Sequence, residues 1–399
     1  MRATMTKPMN KIEKLIAELC PKGVEFEELG ECLQRTKGTP ITAQKMSKIN
    51  KEGAPIKIFA GGKTVAYVNY GDIPEKDVLK KESVVVKSRG IIGFEYINKP
   101  FSHKNEFWSY HSTNPNIDIK YVYYYLKSKE SYFQSVGQRM SKMPQLSIPD
   151  TDKFKIPIPP LAIQQEIVKI LDTFTELEAE LEAELEARKK QYEHYRTELL
   201  TFTDRQTDRV RWVTLNEIGK VSMCKRIFKN ETLTSGDIPF YKIGTFGKQP
   251  NAFISREIFD EYRKKFSFPK KGDVLLSASG TIGRRVIYNG EPAYFQDSNI
   301  IWIDNDESKV LNKFLYYLYA IIEWKTEGGT IQRLYNDNLK KIKIPIPPIA
   351  EQKRIVAILD KFDALVNDIS VGLPAELNAR RKQYEYYRDK LLTFSPLEN

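Results

Sequence analysis

Short segments that combine lysine or arginine with glycine, serine and threonine recur between apolar runs, and they are the parts of this sequence best suited to bind an anion. Ammonium and guanidinium groups contact phosphate oxygens, and the same groups, with hydroxyls, form hydrogen bonds to base edges. We therefore predict nucleic-acid contacts at Lys63, Thr64, Lys87, Arg89, Lys104, Lys242, Thr245, Lys248, Arg284 and Arg285. Each residue alone is a weak indication, because loop lysines and arginines are commonly just solvated.

The overall composition agrees with a soluble partner of a polyanion. The chain has 63 Lys+Arg against 52 Asp+Glu, a formal net charge of +11. Its 3 cysteines show no spacing typical of a disulfide framework or a zinc site. No apolar run reaches the roughly 18 residues that span a bilayer, and no signal peptide is recognisable. We therefore expect a cytoplasmic protein.

Catalytic motifs are not recognisable. Gly61 to Thr64 resembles the end of a phosphate-binding loop, but the glycine that this loop requires at position 57 is replaced by lysine. The Pro-Pro pairs lack the flanking residues of the (Asp/Asn)-Pro-Pro-aromatic tetrad of adenine amino-methyltransferases. The three histidines, His103, His111 and His194, are scattered. The sequence predicts no catalytic residue and no metal site.

The elements that carry these loops occur twice. Residues 153–174 and 341–362 are identical at 15 of 22 positions, and 185–202 and 377–394 at 13 of 18. The segments before them share an ordered skeleton that includes Asn-x-x-Trp, at Asn105 and Asn299. The chain therefore alternates variable and constant segments.

Each constant segment predicts a long helix. From Ile163 onward apolar residues recur at alternating intervals of three and four, which is typical of a helix-to-helix seam. Forty residues would make a helix of roughly 60 Å. Gly372 and Pro374 should kink or break the second helix. The residues predicted to pack helices or bind partners are Ile167, Phe174, Leu181, Tyr192, Tyr195, Ile355, Phe362, Leu365, Tyr384 and Tyr387.

The variable segments alternate short apolar runs with turns and predict short strands, with helices at Ile119–Ser128 and Val310–Ile322. The predicted fold is α+β: two α/β domains separated by two long antiparallel coiled-coil-like helices, with an internal pseudo-two-fold repeat. The predicted boundaries are 1–152, with a short N-terminal helix at 9–20, then 153–205, 206–340 and 341–399.

Two divergent domains, each followed by Pro-Ile-Pro-Pro-(Leu/Ile)-Ala-x-Gln and a helix ending in Arg-(Lys/Arg)-Lys-Gln-Tyr-Glu-x-Tyr-Arg, resemble the specificity (S) subunit of type I restriction-modification systems. The resemblance implies a non-catalytic subunit with two target-recognition domains, each reading one half of an asymmetric bipartite DNA site. The tandem Leu-Glu-Ala-Glu repeat at 177–187 looks like the spacer repeat of that family.

The resemblance also implies partners: double-stranded DNA, two methyltransferase (M) subunits and two restriction/translocase (R) subunits. S-adenosylmethionine, ATP and Mg would then be bound by the partners, which methylate adenine at N6 and cleave DNA, and this chain would bind no cofactor. Two alternatives remain open. One is a self-contained DNA methyltransferase or nuclease with duplicated recognition domains. The other is a coiled-coil scaffold that binds DNA incidentally.

Overall fold

The computed structural model of the 399-residue chain describes residues 11–62, 64–139, 143–202, 209–327 and 332–398. Lys63, predicted above as a nucleic-acid contact, lies outside these residues, as do positions 9 and 10 of the predicted N-terminal helix. The chain forms two compact units. Unit 1 contains the described residues up to Leu181 and those from Leu377 onward, and unit 2 contains Glu182–Glu376.

The helices and strands follow one another along the chain in the same alternating order as the sequence repeat. The first half contains α1 (Lys11–Leu19), β1 (Phe26–Glu28), α2 (Leu29–Cys32), β2 (Gln34–Lys37), α3 (Ala43–Ile49), β3 (Ile56–Phe59), β4 (Val65–Val68), β5 (Ser83–Lys87), β6 (Gly93–Ile97), β7 (Phe101–His103), β8 (Trp108–His111), α4 (Ile119–Ser128), α5 (Glu130–Gly137), α6 (Ile148–Asp152), β9 (Lys155–Pro157) and α7 (Leu161–Leu200). The second half contains β10 (Arg211–Thr214), α8 (Leu215–Ile218), β11 (Gly219–Ser222), β12 (Ile238–Tyr241), β13 (Phe253–Ile254), α9 (Arg256–Lys265), β14 (Val274–Ser277), β15 (Arg285–Ile287), β16 (Tyr294–Phe295), β17 (Ile300–Asn305), α10 (Asn312–Leu318), α11 (Asn336–Lys340), β18 (Lys343–Ile346), α12 (Ile349–Asn367) and α13 (Leu373–Leu391).

Unit 1 contains three small sheets. One has the strand order β2-β8-β5-β6, a second has the order β4-β3-β7 with β3 parallel to β7, and β1 pairs with β9. The interior strand β5 contains three consecutive valines because both of its faces are covered. Val84 and Val86 pack in the core that contains α4, whereas Val85 packs with Phe59 and Phe101 of the second sheet.

Unit 2 has the same topology. Its sheets have the orders β11-β17-β14-β15, β13-β12-β16 and β10-β18, and β12 is parallel to β16. Val274 and Leu276 of β14 pack in the core that contains α10, and Leu275 packs with Phe240 on the opposite face. The α+β fold class and the internal repeat predicted from the sequence are therefore confirmed.

The constant segments form the predicted helices, with one interruption. The 40-residue helix α7 is continuous. Within unit 1 its first half packs antiparallel to α13, since Glu178 pairs with Arg381 and the earlier Phe174 meets the later Tyr387. The second constant segment is broken between α12 and α13, as Gly372 and Pro374 predict.

Sterics explain the position of this break. A side-chain carbon at Gly372 would lie only 2.3 and 2.6 Å from the carbonyl oxygens of Ala364 and Leu365, so any other residue would force the turn between α12 and α13 to shift. The Asp368 side chain accepts a hydrogen bond from the Ser370 backbone N–H at 2.7 Å, which closes the turn. The predicted helix at Val310–Ile322 is shorter than expected, at Asn312–Leu318.

Candidate nucleic-acid interface

In unit 1, loops from different strands meet at one end of the sheets. Lys104 follows β7, and its backbone N–H donates to the carbonyl of Phe59 at the end of β3, at 2.9 Å. The turn that follows β3 carries the exposed Thr64, and it also lies against the loop after β5. Here a side-chain carbon on Gly90 would lie 3.5 Å from the Gly62 backbone nitrogen. The fold thus brings Thr64, Lys104 and the loop that carries Arg89 together.

The cations of this cluster differ in how freely they could bind an anion. Lys87 lies 3.7 Å from the carboxylate of Glu95, and Lys104 lies 2.7 Å from that of Glu106. Both lysines are only about one-fifth exposed, at 20% and 22%. Arg89 is exposed, with no carboxylate partner among the described residues. Of the predicted contacts in unit 1, Arg89 and Thr64 are therefore the most available.

In unit 2 the predicted residues of the 242–248 segment form consecutive turns. The Thr245 N–H donates to the Lys242 carbonyl and the Lys248 N–H to the Thr245 carbonyl, both at 2.9 Å. Arg284 joins this segment, because its guanidinium donates to the Phe246 carbonyl at 2.9 Å. Arg284 thus holds the loop in place, while Lys248 is exposed.

Arg285 lies on the other face of β15. Successive side chains of a strand point to opposite faces, and the guanidinium of Arg285 lies 4.8 Å from the centre of the Tyr316 ring on α10. Burial lowers the pKa of Arg285 from its ordinary value. The structure therefore places Arg285 in the packing between the sheet and the helix, apart from Arg284 and the 242–248 turns.

A cleft in unit 2 holds polar residues that the sequence prediction did not include. It has a volume of about 390 Å³ and lies beside Lys242. The sequence carried one signal for it, since Asn299 belongs to the Asn-x-x-Trp skeleton shared by both halves. Besides the predicted Lys242, the polar and charged residues that line the cleft are Arg226, Lys229, Thr232, Gln296, Asp297, Ser298, Asn299 and Arg333.

The predicted helix-packing residues of unit 1 lie in its core or at the helix pair. Ile167 is fully buried. The ring of Phe174 stacks on Tyr387, with 5.8 Å between ring centres, and lies 6.1 Å from Tyr384. Leu181 is half-buried. Phe174, Tyr384 and Tyr387 thus form an aromatic contact between α7 and α13.

Unit 2 has the corresponding contact between α7 and α12. Tyr192 and Tyr195 both stack on Phe362, at ring-centre distances of 6.3 and 5.6 Å. Ile355 is fully buried, whereas Leu365 is 37% exposed. Most of the predicted seam is therefore used within the chain, and its most exposed members are Tyr195, Leu365 and Tyr387.

The glutamine of the Pro-Ile-Pro-Pro-x-Ala-x-Gln motif attaches the helix to the variable domain. Gln164 is fully buried at the start of α7. Its side-chain oxygen accepts from the Asp118 N–H at 2.9 Å. Its amide nitrogen donates to the carbonyls of Pro159 and Asn116, at 2.7 and 2.9 Å. Backbone groups at the entry to α4 are thereby satisfied by a buried side chain of α7.

Gln352 makes the same set of contacts in unit 2. It is fully buried at the start of α12, and its oxygen accepts from the Leu311 N–H at 2.9 Å. Its nitrogen donates to the carbonyls of Pro347 and Lys309, at 2.9 and 3.0 Å. The repeated motif thus has a structural reason: it fixes each variable domain to its own constant helix.

A second duplicated contact is made by an aspartate that follows the motif glutamine in each of α7 and α12. In unit 1, Asp172 accepts from the Tyr124 hydroxyl at 2.5 Å and from the Lys120 ammonium at 2.6 Å. In unit 2, Asp360 accepts from the Tyr317 hydroxyl. Burial raises the pKa of both tyrosines, so their hydroxyls stay protonated and donate.

The residues that the structure describes include no group of three or more His, Cys, Asp or Glu side chains placed to hold a metal ion. Within the same part of the chain, no helix has both the length and the apolar character needed to cross a membrane.

Comparison with known proteins identifies the family. The model of the type I restriction modification DNA specificity domain matches twice, at residues 21–187 and 209–379. A Haemophilus influenzae protein named as a type I restriction enzyme specificity subunit is 55% identical over 288 residues, covering 70% of this chain and 73% of that protein. The Escherichia coli EcoR124I/EcoR124II specificity subunit is 36% identical over 298 residues, covering 69% and 71%.

Solved structures agree at the level of the fold. The type I restriction-modification S subunit from M. genitalium has a TM-score of 0.56 at 17% identity, covering 93% of this chain and 96% of that chain. A second solved chain comes from a study of complex assembly and conformational transition of the type I R-M system. It has a TM-score of 0.62 at 15% identity, covering 93% of this chain and 98% of that chain. With its duplicated domain, its two closely similar sequence relatives and this fold, the chain belongs to the type I restriction-modification DNA specificity family and is a specificity subunit.

Proposed function

We propose that each unit reads one half of an asymmetric bipartite DNA site. The observation that carries this proposal is the combination of a common topology with different loops. The same strand order presents Thr64, Arg89 and Lys104 in unit 1 and the 242–248 turns in unit 2. Because these loops differ in sequence, the two half-sites differ as well.

The constant helices set the spacing between the half-sites. Gln164 and Gln352 fix each recognition domain to its helix by buried hydrogen bonds. A rigid attachment is what a spacer needs, because a loosely held domain would tolerate several separations. One additional Leu-Glu-Ala-Glu repeat would lengthen a helix by about 6 Å.

The helices also bind the catalytic partners. Two similar helix surfaces in one chain suit two copies of one methyltransferase subunit, and two restriction/translocase subunits complete the nuclease. Apolar side chains left exposed on and between the helices support this docking, notably Ile369 at 84%, Val371 at 75% and Tyr386 at 65%. S-adenosylmethionine, ATP and Mg belong to the partners, and the assembled enzyme acts in the cytoplasm.

The test is co-expression of this chain with the methyltransferase subunit of its own system, followed by single-molecule sequencing of methylated adenines in the host genome. We expect a bipartite motif that appears only when both chains are present. Methylation by this chain alone would contradict its non-catalytic role, and a stable complex that methylates nothing would contradict the proposed reading of DNA.

A variant separates the spacer from the half-sites. Insertion of one Leu-Glu-Ala-Glu unit after Leu185 should change the number of unread base pairs and leave both half-sites unchanged. Glu180→Gln, which alters charge on the same helix without changing its length, is the control. A changed half-site with an unchanged spacer would refute the role of the helix as a spacer.

A further inference from the structure

The cleft of about 390 Å³ in unit 2 borders the start of the 242–248 turns. Lys242 lines the cleft and begins the 242–248 turns. The tight turn at Gly280 lies next to the segment that follows β12, since a side-chain carbon on Gly280 would be 3.4 Å from Ile243. Ser279, just before this glycine, pairs through its backbone with Arg333. The segments around Lys242, Asn299 and Arg333 therefore line one concave surface, and the Gly280 turn lies next to two of them.

Two amide side chains in this cleft are held so that their nitrogens can face a ligand. The Asn299 side-chain oxygen accepts from the Ser279 hydroxyl at 2.6 Å and from the Arg333 guanidinium at 3.2 Å. The Gln296 side-chain oxygen accepts from the Ile243 N–H at 2.9 Å. No described residue accepts a hydrogen bond from either amide nitrogen. Both amides thus offer N–H groups, as do the arginines and lysines around them.

The acidic group at the cleft is already engaged. Asp297 accepts from the Arg226 guanidinium at 2.9 Å and from the Ser298 hydroxyl at 3.3 Å. Ser298 has a backbone φ of 58°, and the Asn299 N–H returns to the Asp297 carbonyl at 2.6 Å. A residue other than glycine in this conformation is strained, and such strain is kept where the surrounding structure requires one geometry. Here the tight turn sets the direction of Asn299.

We propose that this cleft receives the major-groove edge of a guanine in the half-site read by unit 2; the proposal rests on the function proposed above. Guanine presents two adjacent acceptors, N7 and O6, in the major groove. Adenine presents an acceptor beside a donor, and thymine presents one acceptor beside a methyl group. The amide nitrogens of Asn299 and Gln296, which have no partner among the described residues, are donors and therefore favour the guanine edge.

A phosphate group would use the same donors, but two features favour a base. Amides fixed by their oxygen atoms provide directional donors, whereas phosphate contacts rely mainly on exposed cations. The ion pair of Asp297 with Arg226 offsets one of the four cations that line the cleft, which reduces its attraction for a phosphate, while the guanine edge carries no net charge. A base contact and a phosphate contact also predict different results, because only the base contact depends on sequence.

The decisive variants replace an amide nitrogen, which donates, by a carboxylate oxygen, which accepts, and leave the shape of the side chain nearly unchanged. Asn299→Asp keeps the oxygen that accepts from Ser279 and Arg333 and replaces only the free amide nitrogen. Gln296→Glu does the same beside Ile243. Asn289→Asp, an exposed asparagine of the same unit, introduces the same charge elsewhere and serves as the matched control.

The experiment uses the full chain in complex with its methyltransferase subunit, with the motif mapped in the genome and binding measured on duplexes of that motif. We expect Asn299→Asp to lower affinity by roughly ten- to a hundredfold at one guanine of one half-site and to leave the other half-site unchanged. Replacing that guanine by 7-deazaguanine, which lacks the N7 acceptor, should weaken the wild-type complex and add little to the loss in the variant. Asn289→Asp should keep the wild-type motif.

Several results would overturn the inference. A wild-type motif without guanine in either half-site would refute it while leaving the proposed function intact. An equal loss of affinity for every sequence would identify a phosphate contact instead, and an unchanged motif in both Asn299→Asp and Gln296→Glu would exclude the cleft from recognition. If the wild-type complex is stable but methylates no motif, the proposed function itself fails. Thermal unfolding of each variant shows whether the unit remains folded.

Discussion

At the residue scale, His103 makes the stability of the chain depend on pH. Its ring is fully buried in unit 1, where its nitrogens lie 3.1 Å from the Lys104 carbonyl and 3.3 Å from the Ser109 hydroxyl. Burial lowers the pKa of His103 from 6.5 to about 4. Below pH 6.5 the unfolded chain therefore binds a proton that the folded chain does not bind. Stability is lost as the pH falls from 6.5 towards 4.

We expect this histidine to cost about 2 kcal/mol of unfolding free energy between pH 7.5 and pH 5. Denaturant unfolding of the wild-type chain and of His103→Gln at both pH values measures the effect, and the variant should lose this part of the pH dependence. His194→Gln is the control, because that side chain is 73% exposed. Equal pH dependence in the wild type and in His103→Gln would show that His103 is protonated in the folded chain.

The adjacent residues Arg284 and Arg285 show which contacts could be predicted from the sequence and which could not. Arg284 and Arg285 are adjacent and chemically identical, and residue type alone marks both as candidates. Strand register decides between them, because β15 begins at Arg285 and turns its side chain towards Tyr316. The cleft residues Arg226 and Arg333 are more than a hundred positions apart, so no local pattern could have joined them.

At the element scale, Gln164 attaches α7 to unit 1 through three hydrogen bonds. In Gln164→Leu the half-buried Asp118 N–H and the carbonyls of the exposed Asn116 and the buried Pro159 lose these partners. A buried group left without a partner costs about 1–3 kcal/mol. Because water can reach the carbonyl of the exposed Asn116, the other two groups set the loss, and we expect roughly 2 kcal/mol or more of unfolding free energy.

Gln165→Leu is the matched control, because the neighbouring glutamine is exposed and should change stability by no more than about 0.5 kcal/mol. Denaturant unfolding of both variants measures the difference. If the two variants are equally stable, the buried amide does not attach the helix to the domain.

The helices of the constant segments were predictable because their apolar residues recur at regular intervals, and because the residues that interrupt a helix are recognisable by type. Gly372 and Pro374 are enough to predict an interruption, and the structure ends α12 at Asn367 and begins α13 at Leu373. The role of Gln164 was not predictable, since two of its three partners, Asn116 and Asp118, belong to the loop before α4, more than forty residues earlier. The sequence marked the motif by its repetition, and only the fold shows which backbone groups it satisfies.

At the scale of the whole molecule, the net charge of +11 makes binding to DNA depend strongly on salt. Each phosphate that a lysine or arginine neutralises releases condensed counterions and contributes about 0.9 to the slope of log affinity against log salt concentration. Lys248 is exposed on the 242–248 turns and is a candidate for one such contact. Lys248→Ala should therefore weaken binding to all sequences and lower the magnitude of the slope by about 0.9.

The measurement is a salt titration of the complex with its methyltransferase subunit, on duplexes with the mapped motif and with a scrambled motif. Because one phosphate contact changes affinity by roughly threefold between 50 and 200 mM salt, the variant and the wild type should differ most at low salt. Asn299→Asp serves as the contrasting variant, since a lost base contact lowers affinity for the motif and leaves the slope nearly unchanged. Lys248→Ala could instead alter the methylated motif and leave the slope of log affinity against log salt concentration unchanged. Lys248 would then contact a base, and the assignment of phosphate contacts to exposed cations and base contacts to fixed amides in unit 2 would be wrong.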